Sequence, residues 1–180
     1  MRRTGARTDS FQRYAALLRG VSPLNAKMPE LRAAFEAAGF LDVKTVLSSG
    51  NVLFGTPAGK AESLARQCEA ALAAHLGRTF WTVVVPVAEL RALVAADPWQ
   101  AFKVPPAAKR VVSFLRETPA TLPRFPVEKE GATIFAIDDR IVFSAYLPHP
   151  KGPVFMTLIQ KTFGEDVTTR TWDTVKRLVG

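Results

Sequence analysis

The chain has 180 residues but only one cysteine, Cys68, and two histidines, His75 and His149. A single thiol excludes an internal disulfide, so stability cannot depend on an oxidising compartment. With so few soft ligands there is no His/Cys cluster at ligand spacing, and no metal is expected. No apolar run nears the ~20 residues that cross a bilayer. The opening MRRTGARTDSFQ is basic but has no apolar h-region, so it does not read as a secretory signal. A cytoplasmic setting is the expectation. A Gly-x-Ser-x-Gly elbow, a phosphate-binding P-loop and a Gly-x-Gly-x-x-Gly fingerprint are also missing, so no cofactor is expected. Cys68 falls in the apolar stripe of a helix, and Asp138-Asp139 falls in a hairpin turn. Neither reads as an activated group.

Apolar residues make up 48% of the chain and charged residues 22%, which places it among ordinary globular proteins. The net charge of +8 is unevenly spread. Residues 1–60 hold nine Lys/Arg against four Asp/Glu, a net of +5, and Arg2, Arg3, Arg7 and Arg13 precede or open the first apolar run. Residues 1–12 read as a disordered basic tail.

From residue 13 the pattern becomes regular. Tyr14–Leu18 is a short apolar strand, and a helix from Pro29 to Ala38 follows the loop 19–27. Phe40–Phe54 holds two apolar runs around Ser48-Ser49-Gly50-Asn51, which is the pattern of a hairpin. Ala61–Leu76 places Leu64, Cys68, Leu72 and Leu76 on one helical stripe, and Phe80–Val85 is a β-branched strand. The order strand, helix, strand, strand, helix, strand predicts a ferredoxin-like βαββαβ unit over residues 13–86. Its last strand lies at a sheet edge, so the second half of the chain is expected to cover or extend it.

Residues 87–109 read as a helix and a proline-rich connection, with Trp99 and Phe102 as packing anchors. Residues 110–180 read as a second, smaller α+β subdomain, a degenerate repeat of the first. It comprises a strand at 110–115, a loop at 117–131, a hairpin at 133–145 and a helix at 154–163. An extended piece at 167–170 and a last helix capped by Thr171 complete it. The expected fold class is therefore α+β.

Three stretches also resemble one family. They are Tyr14-Ala-Ala-Leu-Leu-Arg-Gly20 with Asn25-Ala-Lys-Met28 and Leu31-Arg32, then Ser49-Gly-Asn-Val52, and Thr168-Thr-Arg-Thr-Trp-Asp-Thr-Val175. They are similar to the bacterial family catalogued as domain of unknown function 1697, and the likeness spans residues 13–180. The resemblance implies an α+β fold with a ferredoxin-like first half and brings no established activity. Thr171 and Asp173 stand where the family motif has asparagines, and Ser48 stands where its hairpin has glutamine.

The remaining chemistry lies in polar loops. Arg19, Asn25 and Lys27 follow the first strand, Ser49 and Asn51 close the hairpin, and Thr169 and Arg170 precede the final helix. Hydroxyls and cations at a helix start suit an anion. The expected function is a non-catalytic binding module for a phosphate-bearing small molecule or a nucleic acid backbone, with those seven residues as contacts. The alternatives are an enzyme on a small anionic substrate and a self-associating or protein-interaction module. A base-stacking RNA platform would have to use Tyr14 and Phe54, the only aromatics in the equivalent strands.

Overall fold

The computed structural model describes residues 10–180 and shows a mixed α+β fold with two antiparallel sheets and five helices. The first sheet contains β1 (Phe11–Leu18), β2 (Leu41–Thr45), β3 (Asn51–Pro57) and β4 (Thr82–Pro86). Its order is β2-β3-β1-β4, with all neighbours antiparallel. Helices α1 (Met28–Ala37) and α2 (Ala61–Leu76) cover one face. Strand β1 is buried on both sides because its residues alternate between two cores. Tyr14, Ala16 and Leu18 face the helices, while Ala15 and Leu17 face the other way. The expected stripe of α2 packs inward through Leu64, Cys68 and Leu72.

Two details differ from the expectation. Strand β1 starts at Phe11, inside the stretch expected to be a disordered tail, because the Phe11 ring closes on the backbone of Gly55 in β3. A Cβ at Gly55 would stand 2.0 Å from that ring, so a larger residue there would displace it. The rest of that stretch, residues 1–9, lies outside the described residues. The hairpin turn also ends one residue early, with Asn51 being the first residue of β3 and completely buried. Gly50 takes φ +81°, and a Cβ there would stand 2.8 Å from the Val21 side chain. The turn therefore needs glycine for both conformation and space.

The second half begins with α3 (Val87–Ala96), directly after β4, and a 3-10 turn at Pro98–Ala101. It continues with β5 (Lys109–Leu115), β6 (Val127–Lys129), β7 (Ala132–Asp138) and β8 (Ile141–Tyr146). Helix α4 (Val154–Phe163), β9 (Val167–Thr171) and α5 (Trp172–Val179) finish the chain. The sheet order is β6-β7-β8-β5-β9. The loop expected at 117–131 therefore contains a short strand, β6, which adds to the outer edge of β7. Strand β5 lies between β8 and β9 as β1 lies between β3 and β4. The correspondence extends to single bonds: Leu18 N–H donates to Gly50 O at 2.8 Å, and Leu115 N–H donates to Arg140 O at 2.9 Å.

The sheets do not join edge to edge. Their inner faces share a core with α3 and α5, built from Leu17, Val83, Val85 and Leu90 on one side and Val112, Phe114, Phe143 and Trp172 on the other. Thr82 to Val85 are all buried, so the β4 edge is covered rather than extended. Trp99 stands in this core, T-shaped to Phe143 at 6.0 Å and to Trp172 at 5.8 Å. Arginines cross between the halves. Arg19, just after β1, donates to the Glu165 carbonyl, and Arg116, just after β5, pairs with Glu69 and donates to Thr82 O. Trp99→Ala should cost roughly 3–5 kcal/mol, the range for truncating a buried aromatic. Guanidinium unfolding would measure the loss.

Candidate functional site

Strand β9 reads Thr-Thr-Arg-Thr, and its alternation sends Thr168 and Arg170 toward the first sheet while Thr169 faces outward. Arg170 is buried, and all five of its N–H donors are used. Nε donates to Asn51 Oδ1 at 2.6 Å, and one terminal nitrogen donates to Thr168 Oγ1 at 2.8 Å and Thr169 O at 2.9 Å. The other donates to Leu18 O at 2.7 Å and Gly50 O at 3.3 Å. No salt bridge to Arg170 occurs among the described residues. Burial lowers its pKa to about 10, which still leaves it a cation at neutral pH. Asn51 is equally committed, since its amide donates to Val46 O at 2.9 Å and Ser49 Oγ at 3.1 Å. The ends of β1, the hairpin turn and β9 therefore meet at one guanidinium.

Several of the residues expected as contacts have partners inside the protein. Arg170 and Asn51 spend their donors inside the protein and have none left for a ligand. Ser49 is exposed and supports Asn51. Asn25 closes its own loop, with Oδ1 accepting from Ser22 N–H at 2.9 Å and its amide donating to Gly20 O at 2.8 Å. Lys27 is exposed at the start of α1, away from the others. The Thr169 hydroxyl lies 2.7 Å from that of Ser113. Thr171 caps α5 by accepting from Thr174 N–H at 3.2 Å, as its position in the sequence implied. Tyr14 and Phe54 stack on each other beneath the helices, both almost completely buried, so they cannot serve as a base-stacking platform.

Beside this knot lies a cleft of about 540 Å³, large enough for a small-molecule ligand. All of β9 lines it, with Arg19 and Gly20 on one side and residues from Tyr146 to Met156 on another. Of the seven expected contacts, it brings together Arg19, Thr169 and Arg170. Its ionisable walls also include Lys109 and His149, and among the described residues no carboxylate lines it. His149 Nδ1 accepts from Lys151 N–H at 3.1 Å, so the ring hydrogen sits on Nε2, 3.8 Å from Glu130. Helix α4 opens at the cleft after Pro153 with neither a side-chain cap nor an acidic residue in its first turn. That end of the helix dipole is therefore open to negative charge.

Lys109 and His149 were not among the expected contacts, and the local sequence offers little to find them. The uncapped start of α4 after Pro148-His-Pro-Lys-Gly-Pro153 was the available signal. Among the described residues no group of His, Cys, Asp and Glu could hold a metal ion, and no helix is long and apolar enough to cross a membrane. Cys68 lies in the core between α1 and α2 and the first sheet, where burial raises its thiol far above the ordinary range.

Comparisons with known proteins add the following. The family model described as "Protein of unknown function (DUF1697)" matches residues 11–143. The match includes the first two sequence motifs and stops short of the third, at Thr168–Val175. No curated protein matches. Among solved structures, a conserved bacterial protein of Streptococcus pneumoniae, SP0830, superposes with a TM-score of 0.70 at 19% identity. The superposition covers 94% of this chain and 98% of that one. At that identity the likeness establishes the fold alone.

The knot makes a direct prediction. Arg170→Lys should destabilise the protein nearly as much as Arg170→Met, because one ammonium cannot reach acceptors spread around a planar fork. Each should cost about 3 kcal/mol or more, since several buried acceptors lose their donors at ~1–3 kcal/mol apiece. Urea titrations of the two variants would measure this.

Proposed function

The chain belongs to the DUF1697 family, which has no assigned activity, and we propose that it is a non-catalytic binding protein for a small phosphate-bearing ligand held in the cleft along β9. The observation that carries this reading is the charge of the cleft: among the described residues Arg19, Lys109 and Arg170 line it beside the His149 imidazole, with no carboxylate. A low-dielectric concavity lined by one sign of charge concentrates the opposite ion. Donors from Arg19 and Lys109 form charge-assisted bonds of the kind phosphate takes. Arg170, with no free donor, contributes long-range field.

The same lining favours binding over catalysis. It offers hydroxyls and one imidazole but no carboxylate or thiol that would complete an acid/base or nucleophilic pair. A cleft also suits a discrete molecule better than a duplex backbone, which needs cations along an open surface. We read the first sheet as the ferredoxin-like unit, supported by its order β2-β3-β1-β4. The second is its degenerate copy, in which residues 116–131 replace the first helix and β6 is an addition. A cytoplasmic setting fits the single, buried thiol.

Calorimetric titration with inorganic phosphate and pyrophosphate at low salt tests the reading. The protein should bind both, and Arg19→Ser should weaken binding about tenfold or more, the size of one charge-assisted hydrogen bond at ~1.5–3 kcal/mol. Absence of heat and of thermal stabilisation at millimolar ligand would refute it.

A further inference from the structure

The cleft has two cationic ends. Its floor is β9, and the residues from Val167 to Thr171 all line it. Four residue steps of a strand at ~3.3 Å each give a floor about 13 Å long. Arg19 belongs to the Val167 end, because its guanidinium is held on the carbonyl of Glu165, two residues before β9. Lys109 belongs to the other end, because Val111 pairs with Thr171 and Lys109 lies two residues further out along β5. At that end Lys109 and Thr171 are shared with a second hollow of about 360 Å³, which adds Arg110. The hollow's one carboxylate, Asp173, is engaged by Lys176 at 2.8 Å, and that pairing holds its pKa below the usual range. The stretch between the two ends is walled by Val111, Tyr146 and Phe155, which are apolar or aromatic.

A single phosphate answers only one of these ends. Seated against Arg19, it leaves Lys109 without an anion in the cleft, and the apolar wall unused. Resting on the reading above, we infer that the ligand is a small molecule with a phosphate group at each end of an apolar body. One phosphate lies at Arg19 and the other at Lys109–Arg110. The two phosphates are separated by about the length of β9, roughly 13 Å. The apolar body lies over Val111 and Phe155, where burying it adds affinity in proportion to the area removed from water.

Two probes separate this inference from the reading it rests on: octane-1,8-diyl bisphosphate, whose extended chain places its phosphates at about that separation, and octyl monophosphate. Calorimetry on the full chain should show the bisphosphate binding at least tenfold more tightly than the monophosphate. Lys109→Ser/Arg110→Ser, both at exposed positions, should abolish that preference. Lys109→Ser alone, which should lose part of the preference, serves if the double variant melts early. Arg19→Ser should weaken both probes. Equal affinity of the two probes for the wild-type protein, with Arg19→Ser still weakening both, would overturn the two-ended ligand and leave the phosphate site standing. A preference that persists in the folded serine variants would overturn it too. Failure of both probes to bind would overturn both readings.

Discussion

The architecture depends on one buried cation with no anionic partner. Taking a guanidinium out of water costs several kcal/mol even after relaxation. Here the compensation comes from five neutral acceptors, three of them backbone carbonyls. Hydrogen bonds to a charged group contribute ~1.5–3 kcal/mol each, enough together to offset the desolvation. The geometry required is strict, because a planar fork accepts partners only in certain directions. The acceptors lie 152 and 119 residues from Arg170 at Leu18 and Asn51, so meeting that geometry fixes β9 against both β1 and the hairpin turn.

That constraint explains why three polar motifs stand where the hydropathy pattern shows loops. Leu18-Arg19-Gly20 supplies a carbonyl and the turn into the cleft. Ser49-Gly50-Asn51 supplies another carbonyl and the amide that meets Nε, and Thr168–Thr171 supplies the arginine with its local supports. Fixing these segments also sets the cleft, since Arg19 lies one residue from an acceptor of Arg170 and Thr169 lies one residue from Arg170 itself. The side chains proposed to face a ligand are therefore neighbours of the knot rather than members of it.

The first sheet was largely legible in the sequence because its signals are local. The stripe of Leu64, Cys68 and Leu72, the alternation in β1 and the hairpin turn each lie within a dozen or so residues. Trp99 and Phe102 as anchors, and the cap at Thr171, were legible for the same reason. Strand β6 was not, because three residues in a proline-rich loop carry no period and form a strand only against β7. The burial of Arg170 and Asn51 was not legible, because a polar residue in a short polar stretch ordinarily faces water, and no local pattern marks a buried polar network. The cleft was hidden more thoroughly. Its Arg19, Lys109 and His149 come from segments that only the folded chain brings together.

Arg170 and Asn51 form a coupled pair that holds the two halves in register. A double-mutant cycle tests this, using Asn51→Leu, Arg170→Met and the combined variant, with unfolding free energies from denaturant titration. The expected coupling is about 1.5–3 kcal/mol, with the double variant far less destabilised than the sum of the singles, because each single change leaves its partner buried and unpaired. Additive losses, within about 0.5 kcal/mol of the sum, would contradict it.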